Sequence, residues 1–75
     1  MNDPDLYWSS VSSSNLDAIA FDVQTNTLFV RFRSGAVYLY VDVPRFVYQA
    51  LRSAGSKGSY HYHAIRMTYN YARIR

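Results

Sequence analysis

The chain contains no cysteine and no glutamate, only three glycines and two prolines in 75 residues, and no long apolar run. Each shortage excludes something. Without Cys there is no disulfide framework, no thiolate metal site and no cysteine nucleophile. A small domain that does without disulfide staples is expected inside the cell, and a cytoplasmic location is the reading adopted. No stretch approaches the roughly 18 apolar residues that span a bilayer, so no membrane partner is expected. The opening Met1-Asn2-Asp3-Pro4-Asp5 is acidic where a secretion signal would be basic, and the chain is read as complete. Its acids are scattered Asp residues with no pair spaced for general acid–base work. Serines are plentiful, but none sits in a G-x-S-x-G elbow. The sequence therefore offers no catalytic residue and implies no cofactor.

What is present suits a small folded domain. The composition is 49% apolar and 17% charged, too apolar for a disordered chain. Eight Tyr, four Phe and one Trp supply large rings, which bury much area per residue in a chain too short for a deep core. Charge is unevenly placed. Asp3, Asp5, Asp17 and Asp22 face no base before residue 23, whereas from Val43 onward Arg45, Arg52, Lys57, Arg66, Arg73 and Arg75 face no acid. A one-signed second half favours a polyanion or an acidic surface as partner.

Residues 1–10 read as an N-terminal arm that docks through Trp8 or stays mobile, and residues 11–75 as a single domain. Leu16 to Val23 alternates as a strand, with Ile19, Phe21 and Val23 opposite Leu16, Ala18 and Ala20. Gln24-Thr25-Asn26 is a turn, in which Asn26 tolerates a left-handed backbone. In Thr27 to Arg33, Leu28, Val30 and Phe32 oppose Phe29, Arg31 and Arg33. Ser34-Gly35 makes a two-residue hairpin loop into Ala36–Val41, where Tyr38 and Tyr40 oppose Val37, Leu39 and Val41. Asp42-Val43-Pro44 is a helix start, with Asp42 as the candidate cap. Val43, Val47, Ala50, Leu51 and Ala54 then recur at helical spacing up to Gly55. A second helix is predicted after Ser59, with Tyr62, Ile65 and Tyr69 inward and His63, Arg66, Asn70 and Arg73 outward.

Three clusters carry candidate chemistry. His61 and His63 lie two apart, which on a helix points them away from one another, and a third ligand is missing. They read as two surface histidines, with no metal site. Gly55-Ser56-Lys57-Gly58-Ser59 ahead of a helix is either an anion seat or a plain inter-helix turn. Tyr38 and Tyr40 are either an aromatic platform for unstacked bases or core residues beneath a helix. In the second case the other sheet face, with Phe29, Arg31, Arg33 and Leu39, is a candidate protein interface.

Taken together, Val11-Ser12-Ser13-Ser14-Asn15, Leu28-x-Val30-x-Phe32, Gly35, Tyr38-x-Tyr40, Val43-Pro44, Val47-Tyr48 and Ala54-x-Ser56-Lys57-Gly58 resemble the KTSC domain family from about Val11 to Ile74. The family is a short domain found at the C-terminus of some lysyl-tRNA synthetases and as stand-alone bacterial proteins. Its members usually follow the loop with an aromatic pair and an Asn, where this chain has His61 and Tyr62. The association with a tRNA-charging enzyme implies RNA binding. The synthetase's catalytic motifs are absent here, so none of its enzymology is implied.

The resulting expectation is an α+β domain: a three-stranded antiparallel meander followed by one or two C-terminal helices packed on one face. The expected function is a non-catalytic binding module for RNA (tRNA or single-stranded), with Arg45, Arg52, Lys57, Arg66 and Arg73 as phosphate contacts. The alternative is a protein–protein adaptor or homodimer that uses the open sheet face.

Overall fold

In a computed structural model, residues 7–75 are described and form an antiparallel sheet with two short helices. Five strands, β1 (Ser9–Ser10), β2 (Leu16–Asp22), β3 (Thr27–Phe32), β4 (Val37–Tyr40) and β5 (Tyr71–Arg73), lie side by side in chain order. Helix α1 (Arg45–Ser53) and helix α2 (Lys57–Tyr60) stand between β4 and β5, and α2 runs on into a π-helical turn, His61–Ile65. Leu16, Ile19, Leu28, Val30 and Tyr40 from the sheet meet Val43, Val47, Leu51 and Ile65 from the helical layer in one core.

The α+β class and the meander agree with the sequence pattern, but the sheet has five strands where three were expected. Both additional strands are edge pieces. Ser9 and Ser10 pair with Ile19 and Ala18, so the arm joins the sheet from Ser9 onward; residues 1–6 lie outside the described residues. At the opposite edge, Tyr71, Ala72 and Arg73 pair with Tyr40, Leu39 and Tyr38. The predicted second helix thus does not reach Arg73. It ends at Ile65, the chain turns through residues 66–69, and Asn70 accepts from the Val41 N–H as the return begins. The free edge of β4, with N–H and C=O groups needing partners, is completed by the returning chain.

Local chemistry explains the junctions. Asn26 takes φ 55° and Gly35 takes φ 97°, the left-handed backbone that the two hairpin turns require. Asp42 does not cap α1. It adopts φ 56°, and Pro44 is the capping position, without a side-chain bond. The neighbouring Val43 N–H donates to the Asn26 carbonyl, tying the helix entry to the first hairpin. The second helix starts earlier than predicted because Ser56, not Ser59, is its cap: the Ser56 hydroxyl accepts from the Ser59 N–H. A bulge between Leu16 and Ala18 moves Leu16 to the same face as Ile19 and Phe21, correcting the simple alternation expected for β2.

Candidate functional site

The site begins with β4. Its register opposite β3 and β5 places Tyr38 and Tyr40 on the helix-covered face, with Val37 and Leu39 on the other. Tyr40 is core, only 2% exposed, whereas Tyr38 is half-buried at the margin of the helical layer. Phe32 stands edge-on to Tyr38 at 5.5 Å and to His61 at 5.4 Å. Neither reading of the Tyr pair covers both rings: Tyr40 supports the core and Tyr38 lines an opening.

His61 corrects the expectation of two surface histidines. It is 5% exposed, and its Nε2 shares a 2.7 Å hydrogen bond with the Tyr40 hydroxyl, while His63 stays exposed against Tyr62. His61 lies four residues before Ile65 and so shares its inward helix face, and the Arg66 N–H donates to the His61 carbonyl in the π turn. Turns of this kind recur at functional sites. Burial, with Arg66 second, pushes the His61 imidazole below its ordinary value of 6.5. Burial, helped by neighbouring Tyr38 and Tyr71, pushes the Tyr40 phenol up to about 12 against a smaller opposing effect of Arg66. The pair is therefore neutral at neutral pH.

Above it opens a cleft of about 700 Å³. Its walls include Tyr38, Tyr62 and Tyr71 and three arginines, Arg33, Arg66 and Arg73; among the described residues no acidic side chain lines it. Arg33 Nε donates to the Ser13 carbonyl at 2.8 Å, Arg73 Nε donates to a main-chain oxygen of Arg75, the last residue of the sequence, at 2.9 Å, and the Arg66 guanidinium lies 5.2 Å over the Tyr62 ring. Each contact anchors a guanidinium with donors to spare for an anion. Tyr62, expected inward, is exposed here because His61 and Ile65 occupy the inward face.

The remaining candidates are dispersed. Arg45 and Arg52 are exposed on α1 and do not line the cleft, Arg52 instead resting 5.8 Å over the Tyr48 ring. Lys57 folds back, its Nζ donating to the Ala54 carbonyl at 2.9 Å. With Gly55, Ser56, Gly58 and Ser59 it faces Ser12–Asn15 across a smaller polar recess of about 350 Å³. Gly58 fits closely there: a Cβ at this position would stand 2.5 Å from Asn15 Oδ1 and displace that side chain.

On the opposite sheet face, Trp8 packs edge-on to Phe29, which is 7% exposed, and the Arg31 guanidinium lies 4.9 Å over the Trp8 ring. Arg31 Nε also pairs with Asp17 at 2.8 Å. Arg33, expected on this face, lies beyond the end of β3 and belongs to the cleft instead. Leu39 remains half-buried on it. Sequence reasoning also missed Asn15, His61 and Tyr71 as cleft residues; for Tyr71 the available signal was its alternation with Tyr69 and Arg73, which suits a strand as well as a helix.

The sequence profile of the KTSC domain matches residues 12–69. This chain belongs to the KTSC domain family. A KTSC domain protein of Yersinia pestis has a closely similar structure, with a TM-score of 0.89 at 30% identity, covering 93% of this chain and 99% of that one. An uncharacterised protein of Stutzerimonas stutzeri is 38% identical over 66 residues, which is 87% of this chain and 93% of that protein. A lysine–tRNA ligase of a Nostoc species is 34% identical over 61 residues, 81% of this chain. The matched segment spans only 11% of that ligase's length. Among the described residues no helix is long and apolar enough to cross a membrane, and no three His, Cys, Asp or Glu side chains are grouped to hold a metal ion.

Proposed function

We propose that this KTSC domain is a non-catalytic module that binds RNA in the cytoplasm, with the cleft between β4, β5 and the π turn at the centre of its footprint. The carrying observation is the convergence of Arg33, Arg66 and Arg73 on one aromatic-walled cleft with no acidic side chain among the described lining residues. Guanidinium groups held by a single contact each suit phosphate oxygens, and exposed tyrosines suit unstacked bases. The likeness of the chain to a segment of a lysine–tRNA ligase supports the same ligand class. Arg45, Arg52 and Lys57 form an outlying set of phosphate contacts, positioning the polymer without reading its sequence.

The adaptor or homodimer reading has less free surface. Phe29 is covered by Trp8, Arg31 is paired with Asp17, and Arg33 turns to the other side, leaving Leu39 half-buried.

Fluorescence anisotropy with tRNA and a single-stranded RNA tests the proposal. The three cleft arginines alone would make log K to a single strand fall with log salt at a slope of about 2, or roughly 20-fold between about 50 and 200 mM, and the outlying set steepens it. Arg66→Ala/Arg73→Ala is expected to weaken binding and flatten that slope more than Arg45→Ala/Arg52→Ala. No binding even at low salt would sink the reading and turn attention to protein partners.

A further inference from the structure

The cleft has features that a merely basic surface would not need. Tyr71 is 60% exposed although it sits in a sheet, and it leans on Tyr38 at 5.7 Å and on Tyr40 at 5.9 Å, with interplanar angles of 39° and 42°. These two rings hold one side of Tyr71 and leave most of its surface open. Arg73 follows two residues later on the same strand, so both side chains point to the cleft about 7 Å apart along β5. Across the opening, the Arg66 guanidinium lies over the Tyr62 ring. The floor is the Tyr40–His61 pair, whose hydroxyl and Nε2 already satisfy each other. No buried side-chain polar atom among the described residues is left without a partner, so the floor demands nothing polar from a ligand. A volume of about 700 Å³ lies in the range of small-molecule sites, about 300–1,000 Å³, and suits one nucleotide better than the broad minor groove of a duplex.

We infer that this cleft is a site for a single nucleotide unit, its base against Tyr71 and Tyr62 and its phosphate between Arg66 and Arg73. In its RNA form, one nucleotide unstacked from a strand, the inference rests on the RNA-binding reading above. The specificity is for the chemical pair of an aromatic base and a phosphate, since stacking on tyrosine accepts every base.

The test uses four probes on the intact chain: adenosine 5′-monophosphate, ribose 5-phosphate, a single-stranded RNA octamer and tRNA. Amide and side-chain NMR shifts locate binding, and titration gives affinities. The monophosphate should shift Tyr71, Arg73, Arg66 and His61 and bind about tenfold or more tightly than ribose 5-phosphate, which lacks the base. Tyr71→Val keeps a good strand former and removes the ring, and it should weaken the octamer about tenfold, whereas Tyr71→Phe should bind as wild type. If the octamer binds but is indifferent to Tyr71→Val, or binds while ribose 5-phosphate matches the nucleotide, the nucleotide site is overturned and the RNA reading stands. If the monophosphate binds in the cleft while octamer and tRNA do not, the RNA reading falls and the site remains, serving a free nucleotide. Binding of none of the four overturns both.

Discussion

The two faces of the sheet use the same chemical pairing to opposite ends. On the open face Arg31 lies over Trp8 and is also paired with Asp17 at 2.8 Å, so ring and cation are both engaged within the molecule. On the covered face Arg66 lies over Tyr62 beside Arg33 and Arg73, and no acidic side chain among the described residues stands in the cleft. One arrangement closes a surface and the other leaves its cations without an acidic side chain at the mouth of a cavity. An arginine–aromatic contact by itself therefore says little about function. What distinguishes the faces is whether an acid completes the set.

The largest effect should come from removing the support of the covered face. Ile65→Ala takes a fully buried side chain out of the π turn and should cost about 2–5 kcal/mol in urea unfolding. That is a large share of the stability of so small a domain, and the comparable change on the open face, Trp8→Ala, should cost clearly less.

Next comes the buried pair. Tyr40→Phe leaves the His61 Nε2 without its partner and should cost about 1–3 kcal/mol. The pair also sets two pH limits. His61 has a depressed folded value, so the unfolded chain binds the extra proton and stability should fall as pH drops below about 6.5. Tyr40 has a raised folded value of about 12 against 10.0, so the unfolded chain loses its proton first and stability should fall between pH 10 and 12. Unfolding midpoints across pH check both, and Tyr40→Phe should remove the alkaline decline attributable to this group. An unchanged acid limb in a His61→Gln variant would show that His61 is not the titrating group.

A smaller effect tests how the recess is joined to the helix start. Gly58→Ala forces the Asn15 amide away and breaks its 3.1 Å hydrogen bond from Ser13, a loss of about 0.5–1.5 kcal/mol that the better helix propensity of Ala offsets in part. Asn15→Ala in the same chain should recover part of that loss in a double-mutant cycle.

The smallest effect belongs to the open face. Arg31→Ala removes a partly exposed ion pair and should cost about 0.2–1 kcal/mol, with RNA affinity unchanged. An RNA defect in Arg31→Ala equal to that of Arg66→Ala would erase the contrast between the faces.

Much of the sheet was legible in the sequence. In β3 the apolar side chains Leu28, Val30 and Phe32 alternate with Phe29 and Arg31, and the structure places the two sets on opposite faces. The turn residues Asn26 and Gly35 carry the positive φ that their types allow. The return segment was not legible. Tyr62, Ile65 and Tyr69 satisfy helical spacing, Tyr69, Tyr71 and Arg73 satisfy strand spacing, and nothing local chooses between them. The cleft shared that fate, because Asn15, Arg33, His61 and Tyr71 come from four separate parts of the chain.

Alternation, turn residues and the drift from acidic to basic along the chain act over a few neighbours, so the residues alone carried the meander, the first helix and a basic second half. Folding in three dimensions settled the rest. The open edge of β4 drew Tyr71–Arg73 into the sheet, and the packing of the helical layer on that sheet brought the His61 imidazole to a phenol 21 residues away. Those outcomes depend on which unsatisfied backbone edge and which buried polar group find one another, and such long-range pairing leaves no periodic trace in the chain.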